Sequence, residues 1–100
     1  MAFLLVLNEK RKGENVPELS RFLGIIITML YNDHSPPHFH AQYGDYKVTV
    51  EILSGIVDGR FPKRALHSLM EWYEIYKDNL LDDWNLAARH EPLNKIPPLE

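Results

Sequence analysis

Three features of the sequence predict an α+β domain. They are a β-branched apolar run, two alternating stretches joined by Gly44-Asp45, and a later segment with apolar residues at helical spacing. Their order predicts an antiparallel β-meander of about four strands, packed on one face by a C-terminal helical pair.

Residues 1–16 divide into the apolar run Phe3-Leu4-Leu5-Val6-Leu7, expected to be an edge strand, and the polar stretch Asn8–Asn15. In the second part Lys10, Arg11 and Lys12 are interleaved with glutamates, the pattern of a solvated loop rather than a nucleic-acid arm. Gly24–Tyr31 reads as a strand buried on both faces and central in its sheet. Asn32–Pro37, with Asn, Asp, Ser and two prolines, must be a loop.

From His38 the alternation is strict. Phe39, Ala41 and Tyr43 point one way, and His38, His40 and Gln42 the other. Gly44 in the first turn position favours a two-residue type II′ hairpin. That register sets Tyr43 against Tyr46, Ala41 against Val48 and Phe39 against Val50 on the core side. On the other face it sets Gln42 against Lys47, His40 against Thr49 and His38 against Glu51. Ser54-Gly55 marks a second turn, and Ile56-Val57-Asp58 a short last strand.

Pro62 suits the start of a helix. Ala65, Leu69, Trp72, Tyr76 and Leu80 form its apolar stripe, and Lys63, His67, Glu71, Glu74 and Asp78 its polar face. Helical character continues to about His90, with a restart near Asp78-Asn79. Pro92 ends it, and Pro97-Pro98 excludes regular structure from the tail.

The 100 residues suit one domain, taken as 17–100 with residues 1–16 as an N-terminal extension. The chain has no cysteine, which removes disulfides, thiolate metal sites and cysteine nucleophiles, and fits a cytoplasmic location. Its net charge of −3 argues against a general electrostatic grip on nucleic acid. The leading apolar run is too short to span a membrane and lacks the preceding basic residue of a signal peptide.

Chemistry concentrates in Asp33-His34-Ser35-Pro36-Pro37-His38-Phe39-His40. On a strand, His38 and His40 project from one face about 7 Å apart. That spacing permits two ligands on one metal, or two proton-transfer groups bracketing a phosphate or ester. Glu51, opposite His38, would orient its ring, and Asp33 and His34 on the adjoining loop would complete the constellation. Lys47 and Arg64 are candidate phosphate or anion contacts, with Thr49 and Arg60 beside them. Polar residues on a solvated sheet face are the plain alternative, since His-x-His alone is a weak signal. His67 before Glu71, and His90 near a helix end, read as surface pairing and a dipole contact.

Ser20-Arg21-Phe22, Tyr31-Asn32-Asp33-His34-Ser35-Pro36-Pro37-His38-Phe39-His40-Ala41 and Tyr43-Gly44 resemble the bacterial family known as domain of unknown function 4160. Pro62-Lys63-Arg64-Ala65-Leu66, Glu71-Trp72, Trp84 and Pro92–Ile96 extend the resemblance to about residues 17–99. It makes Asp33, His34, His38 and His40 signature positions and supplies no reaction. It also implies a context: a small partner encoded alongside, from the family known as domain of unknown function 2442, in a toxin–antitoxin-like module.

Three functions are therefore carried forward. The first is a component of a two-protein toxin–antitoxin-like or regulatory module. The second is a metal-independent ribonuclease in which His38 and His40 act as base and acid. No cofactor is expected under the first two; the third is a zinc protein using His34, His38 and His40, with Glu51 or Asp33 as a carboxylate ligand.

Overall fold

The computed structural model describes residues 16–100; the expected strand at Phe3–Leu7 and nearly all of the extension lie outside that range. Five strands, β1 (Glu18–Phe22), β2 (Ile25–Thr28), β3 (His38–Tyr43), β4 (Tyr46–Glu51) and β5 (Val57–Gly59), form one antiparallel sheet in sequence order. One helix, α1 (Lys63–Ala88), follows.

The β3–β4 register is the one the alternation predicts, with His38 opposite Glu51, His40 opposite Thr49 and Tyr43 opposite Tyr46. Gly44 has φ 59 while Asp45 is not left-handed, as a type II′ turn requires. Phe39, Ala41, Val48 and Val50 are buried on the core side, but Tyr46 at the hairpin tip is exposed.

Two expectations about the sheet are corrected. Glu18–Phe22 is an additional strand, paired with β2 through the two-residue turn Leu23-Gly24, so the sheet has five strands rather than four. A bulge near Leu19 breaks the two-residue period, burying Leu19 and Ser20 in succession. β2 is also shorter than Gly24–Tyr31 and not buried on both faces: Ile25 and Ile27 are buried, whereas Ile26 and Thr28 are half-buried.

The expected helical pair is also corrected. A single helix runs from Lys63 to Ala88, interrupted only at Tyr76, where φ −111 and ψ 22 leave helical values. The expected polar face, Lys63, His67, Glu71, Glu74 and Asp78, is exposed, and Leu69, Trp72, Tyr73 and Leu80 are buried against the sheet. Phe39 meets both Trp72 and Tyr73 with ring centroids 5.9 and 6.2 Å away, and Tyr73 donates its hydroxyl to the Ile52 carbonyl at 2.6 Å. At the other end His90, at φ 57, takes the left-handed place usually held by glycine. Its N–H bonds the Ala87 carbonyl and the Glu91 N–H that of Leu86, closing a Schellman motif.

The tail has no regular structure, as its prolines require, yet it is firmly held. Ile96 is buried and donates its N–H to the Leu19 carbonyl at 2.8 Å. Trp72 Nε1 donates to the Pro97 carbonyl, Lys95 Nζ to the Glu18 carbonyl, and the Asn94 N–H to Asp83 Oδ1. The tail thus lies along β1, while the opposite edge, β5, is only three residues long. Among the described residues no helix is long and apolar enough to cross a membrane.

Candidate functional site

The site forms where the β2–β3 loop folds back over the start of β3. Asn32, in the left-handed conformation at φ 51, reverses the chain after β2, and the Ser35–Pro36 peptide is cis. Pro37 accepts the Ile52 N–H at 2.9 Å, fixing the loop's return to the sheet. Asp33 is thereby carried over the face from which His38 and His40 project.

His38 is held at both ring nitrogens. Nδ1 lies 2.8 Å from the Pro36 carbonyl oxygen, which can only accept, so Nδ1 carries the proton. Nε2 then stands 2.9 Å from Asp33 Oδ2. His40 Nε2 is 3.5 Å from the same oxygen. The ligating atoms of Asp33, His38 and His40 all lie within 4.8 Å of one another. His34 is placed differently. Its Nδ1 is 2.9 Å from the other carboxylate oxygen, Oδ1, and its side chain is almost fully exposed.

Burial of Asp33 works to raise its pKa. The His34 backbone N–H, then the contacts from His40 and His38, outweigh that effect and hold the carboxyl below its ordinary value. The aspartate is therefore ionised at neutral pH.

The plain alternative, a solvated sheet face, does not describe His38, which is only 7 % exposed. The part of α1 beyond Tyr76 brings Trp84 against it, ring centroids 5.2 Å apart, and His40 meets it edge-on at 5.2 Å. Glu51 is on the same face and directly across the ladder, yet it does not orient His38. Its Oε1 instead accepts the Ser54 hydroxyl at 2.7 Å. Asp33 and the Pro36 carbonyl do that work.

Glu51 lines a cavity of about 460 Å³ together with Asp33, His34, His38, His40, Thr49 and Asp58. A second depression of about 330 Å³ shares His40, Thr49 and Asp58 with it and reaches Lys47. Arg60 lies beyond, beside Lys47 in a third surface hollow. Arg64 sits apart, in a pocket with Leu23, Tyr43 and Pro62 near the start of α1. Of the two anion candidates, only Lys47 borders the histidine groove.

Sequence reasoning missed four contributors: Trp84, the Pro36 carbonyl, Thr28 and Asp58. Trp84 reads from spacing alone as helix core, and no residue type announces a carbonyl. Thr28 and Asp58 complete a ladder that runs Thr28–His40–Thr49–Asp58 across four strands. Its outer pairings depend on the β2–β3 loop and the β4–β5 turn, which the β3–β4 alternation does not fix.

A family model described as Domain of unknown function (DUF4160) matches residues 24–85, which contain every residue of this site, and the chain belongs to that family. No curated protein and no solved structure matches it.

Proposed function

With membership of this family as the premise, we propose that the protein is a divalent-metal-binding module whose ion is held by Asp33 Oδ2, His38 Nε2 and His40 Nε2. The observation that carries this reading is the placement of the His38 ring. Nδ1 donates to the Pro36 carbonyl, so Nε2 and an ionised carboxylate oxygen face each other at 2.9 Å, an acceptor pair whenever the ring is neutral. Two acceptors at that separation repel unless a cation lies between them: a proton on the ring, or a metal ion.

Bonds of about 2.1 Å from nitrogen or oxygen to zinc place adjacent ligands roughly 3.0–3.4 Å apart, for angles between 90° and tetrahedral. The 2.9 and 3.5 Å separations here suit that spacing. A metal-binding histidine commonly donates its other ring N–H to a backbone carbonyl, as His38 does to Pro36. Two histidines and one carboxylate leave open positions for water or a ligand, and zinc is the first candidate ion.

Isothermal titration of the purified, chelator-treated protein with zinc tests the proposal. One equivalent bound, with loss of binding in His38→Ala and His40→Ala, supports it. No binding leaves the proton-bridged pair, and the metal-independent acid–base reading then becomes the one to pursue by assaying RNA cleavage.

A second reading concerns partners. Leu53 and Ile56 are exposed beside β5, the sheet edge that the tail does not cover. Exposed apolar side chains side by side suit docking of a second protein, in keeping with a two-protein module. Co-purification with the product of an adjacent gene, in the presence of chelator, tests this without involving the metal.

A further inference from the structure

We propose that the groove beside the metal centre binds a small phosphate ester, with phosphoryl oxygens shared between the ion and the ammonium of Lys47. This inference rests on the metal reading and adds the ligand class.

The two depressions share the middle of the outer sheet face and form one groove. At one end stand Asp33, His38 and His40, whose open coordination positions require an oxygen donor. At the other, Lys47 projects from the same face as His40, because Lys47 pairs with Gln42 and Gln42 lies two residues from His40. Two residues of strand separate such positions by roughly 7 Å. A four-carbon side chain spans much of that gap, so Lys47 can reach an anion that also touches the ion. Arg60 and Asp45 share a separate hollow with Lys47 beyond that end.

The floor between the two ends is polar and uncharged at Thr28 and Thr49, with the Asp58 carboxylate at the β5 side. Hydroxyls donate to phosphoryl oxygens, and a carboxylate accepts from an alcohol. A phosphate on a hydroxylated carbon skeleton satisfies both. The groove's dimensions, about 330 and 460 Å³ for its two parts, lie in the range of small-molecule sites. Lys47 makes no hydrogen bond or ion pair with any described residue, so its ammonium is available.

The test uses the full chain loaded with cobalt(II), whose visible spectrum reports changes in its coordination, titrated with glycerol 3-phosphate and with inorganic phosphate. The wild-type spectrum is expected to change saturably with both. In Lys47→Ala the half-saturating concentration should rise roughly tenfold, the effect of one lost charge-assisted bond, and Lys47→Arg should restore most of it. An unchanged wild-type spectrum, or a Lys47→Ala protein that titrates like wild type, overturns the inference and leaves the metal site standing. Failure to bind cobalt at all removes the metal reading and this one with it.

Discussion

Asp33 and His38 are joined by a 2.9 Å contact between Oδ2 and Nε2, made by a ring whose other nitrogen is already committed to the Pro36 carbonyl. That doubly fixed imidazole separates the site from a chance cluster of polar side chains. Its orientation is set by backbone on one side and by the carboxylate on the other, with Trp84 limiting the ring's movement.

The three proposed ligands and His34 should behave differently. Asp33→Asn, His38→Ala and His40→Ala are each expected to weaken zinc binding by at least about tenfold, since the histidine changes each remove one of three donors and the aspartate change removes the only ligand charge. His34→Ala, whose ring is exposed and lies on Oδ1, should bind within about twofold of wild type. Calorimetry on the four variants checks both statements. Equal losses in all four would point to a broader, less ordered site.

Asp33 should also shape the acid limb of stability in the metal-free protein. Its folded pKa is depressed, so it contributes stability above the unfolded aspartate value of about 3.9. That contribution is lost as pH falls through the still lower folded value. Asp33→Asn is expected to be less stable than wild type at pH 7, by on the order of 1 kcal/mol. The difference should close at strongly acidic pH, as read from urea unfolding in chelating buffer.

Asp83 should show the opposite sign. Its carboxyl is fully buried, Oδ1 accepts the Asn94 N–H and Oδ2 has no partner within the described chain. Burial, with a smaller push from Asp82 against the Asn94 bond, raises its pKa. The folded state therefore binds the proton more tightly than the unfolded one, and stability from this group falls as pH rises through the raised value. Asp83→Asn keeps an acceptor for Asn94 and removes the charge. It is expected to stabilise the protein at pH 7 by on the order of 1 kcal/mol, seen as a rise in Tm of roughly 4–8 °C. The gain should shrink as pH is lowered.

The tail should carry a measurable share of stability. Ile96→Ala removes a buried side chain that packs with the central core and is expected to cost about 2–4 kcal/mol. Truncation after Lys95 should cost more, because it also leaves the Trp72 Nε1–H and the Leu19 carbonyl without their partners. Urea midpoints for both variants provide the check, and a truncation milder than Ile96→Ala would contradict the structure.

The β3–β4 hairpin was legible down to individual pairs, because a two-residue side-chain period and a turn glycine together leave only one register that buries Phe39 and Val50. β1 was not, for two physical reasons. Its bulge disturbs the alternation, and its turn uses Leu23 at φ 49, a conformation that asparagine or glycine would have announced. The candidate site was half legible. Both β3 histidines lie on the predicted face, but which carboxylate meets His38 depends on how the Asn32–Pro37 loop folds back. Spacing along a strand contains no information about that. The position of Trp84 depends likewise on the interruption at Tyr76, which the apolar stripe passes over without a break.

That interruption divides the loyalties of the helix. Residues before Tyr76 insert Leu69, Trp72 and Tyr73 into the core, while the turns after it add Leu80 and Ala87 and also deliver Trp84 to the histidine ring. Straightening Tyr76 into regular helix would redirect everything beyond it, so a change that improves the helix as a helix would uncover His38. Efforts to make this protein hardier by idealising that segment would thus select against the feature that shelters its chemistry, and thermal resistance alone would be a misleading guide to an intact molecule.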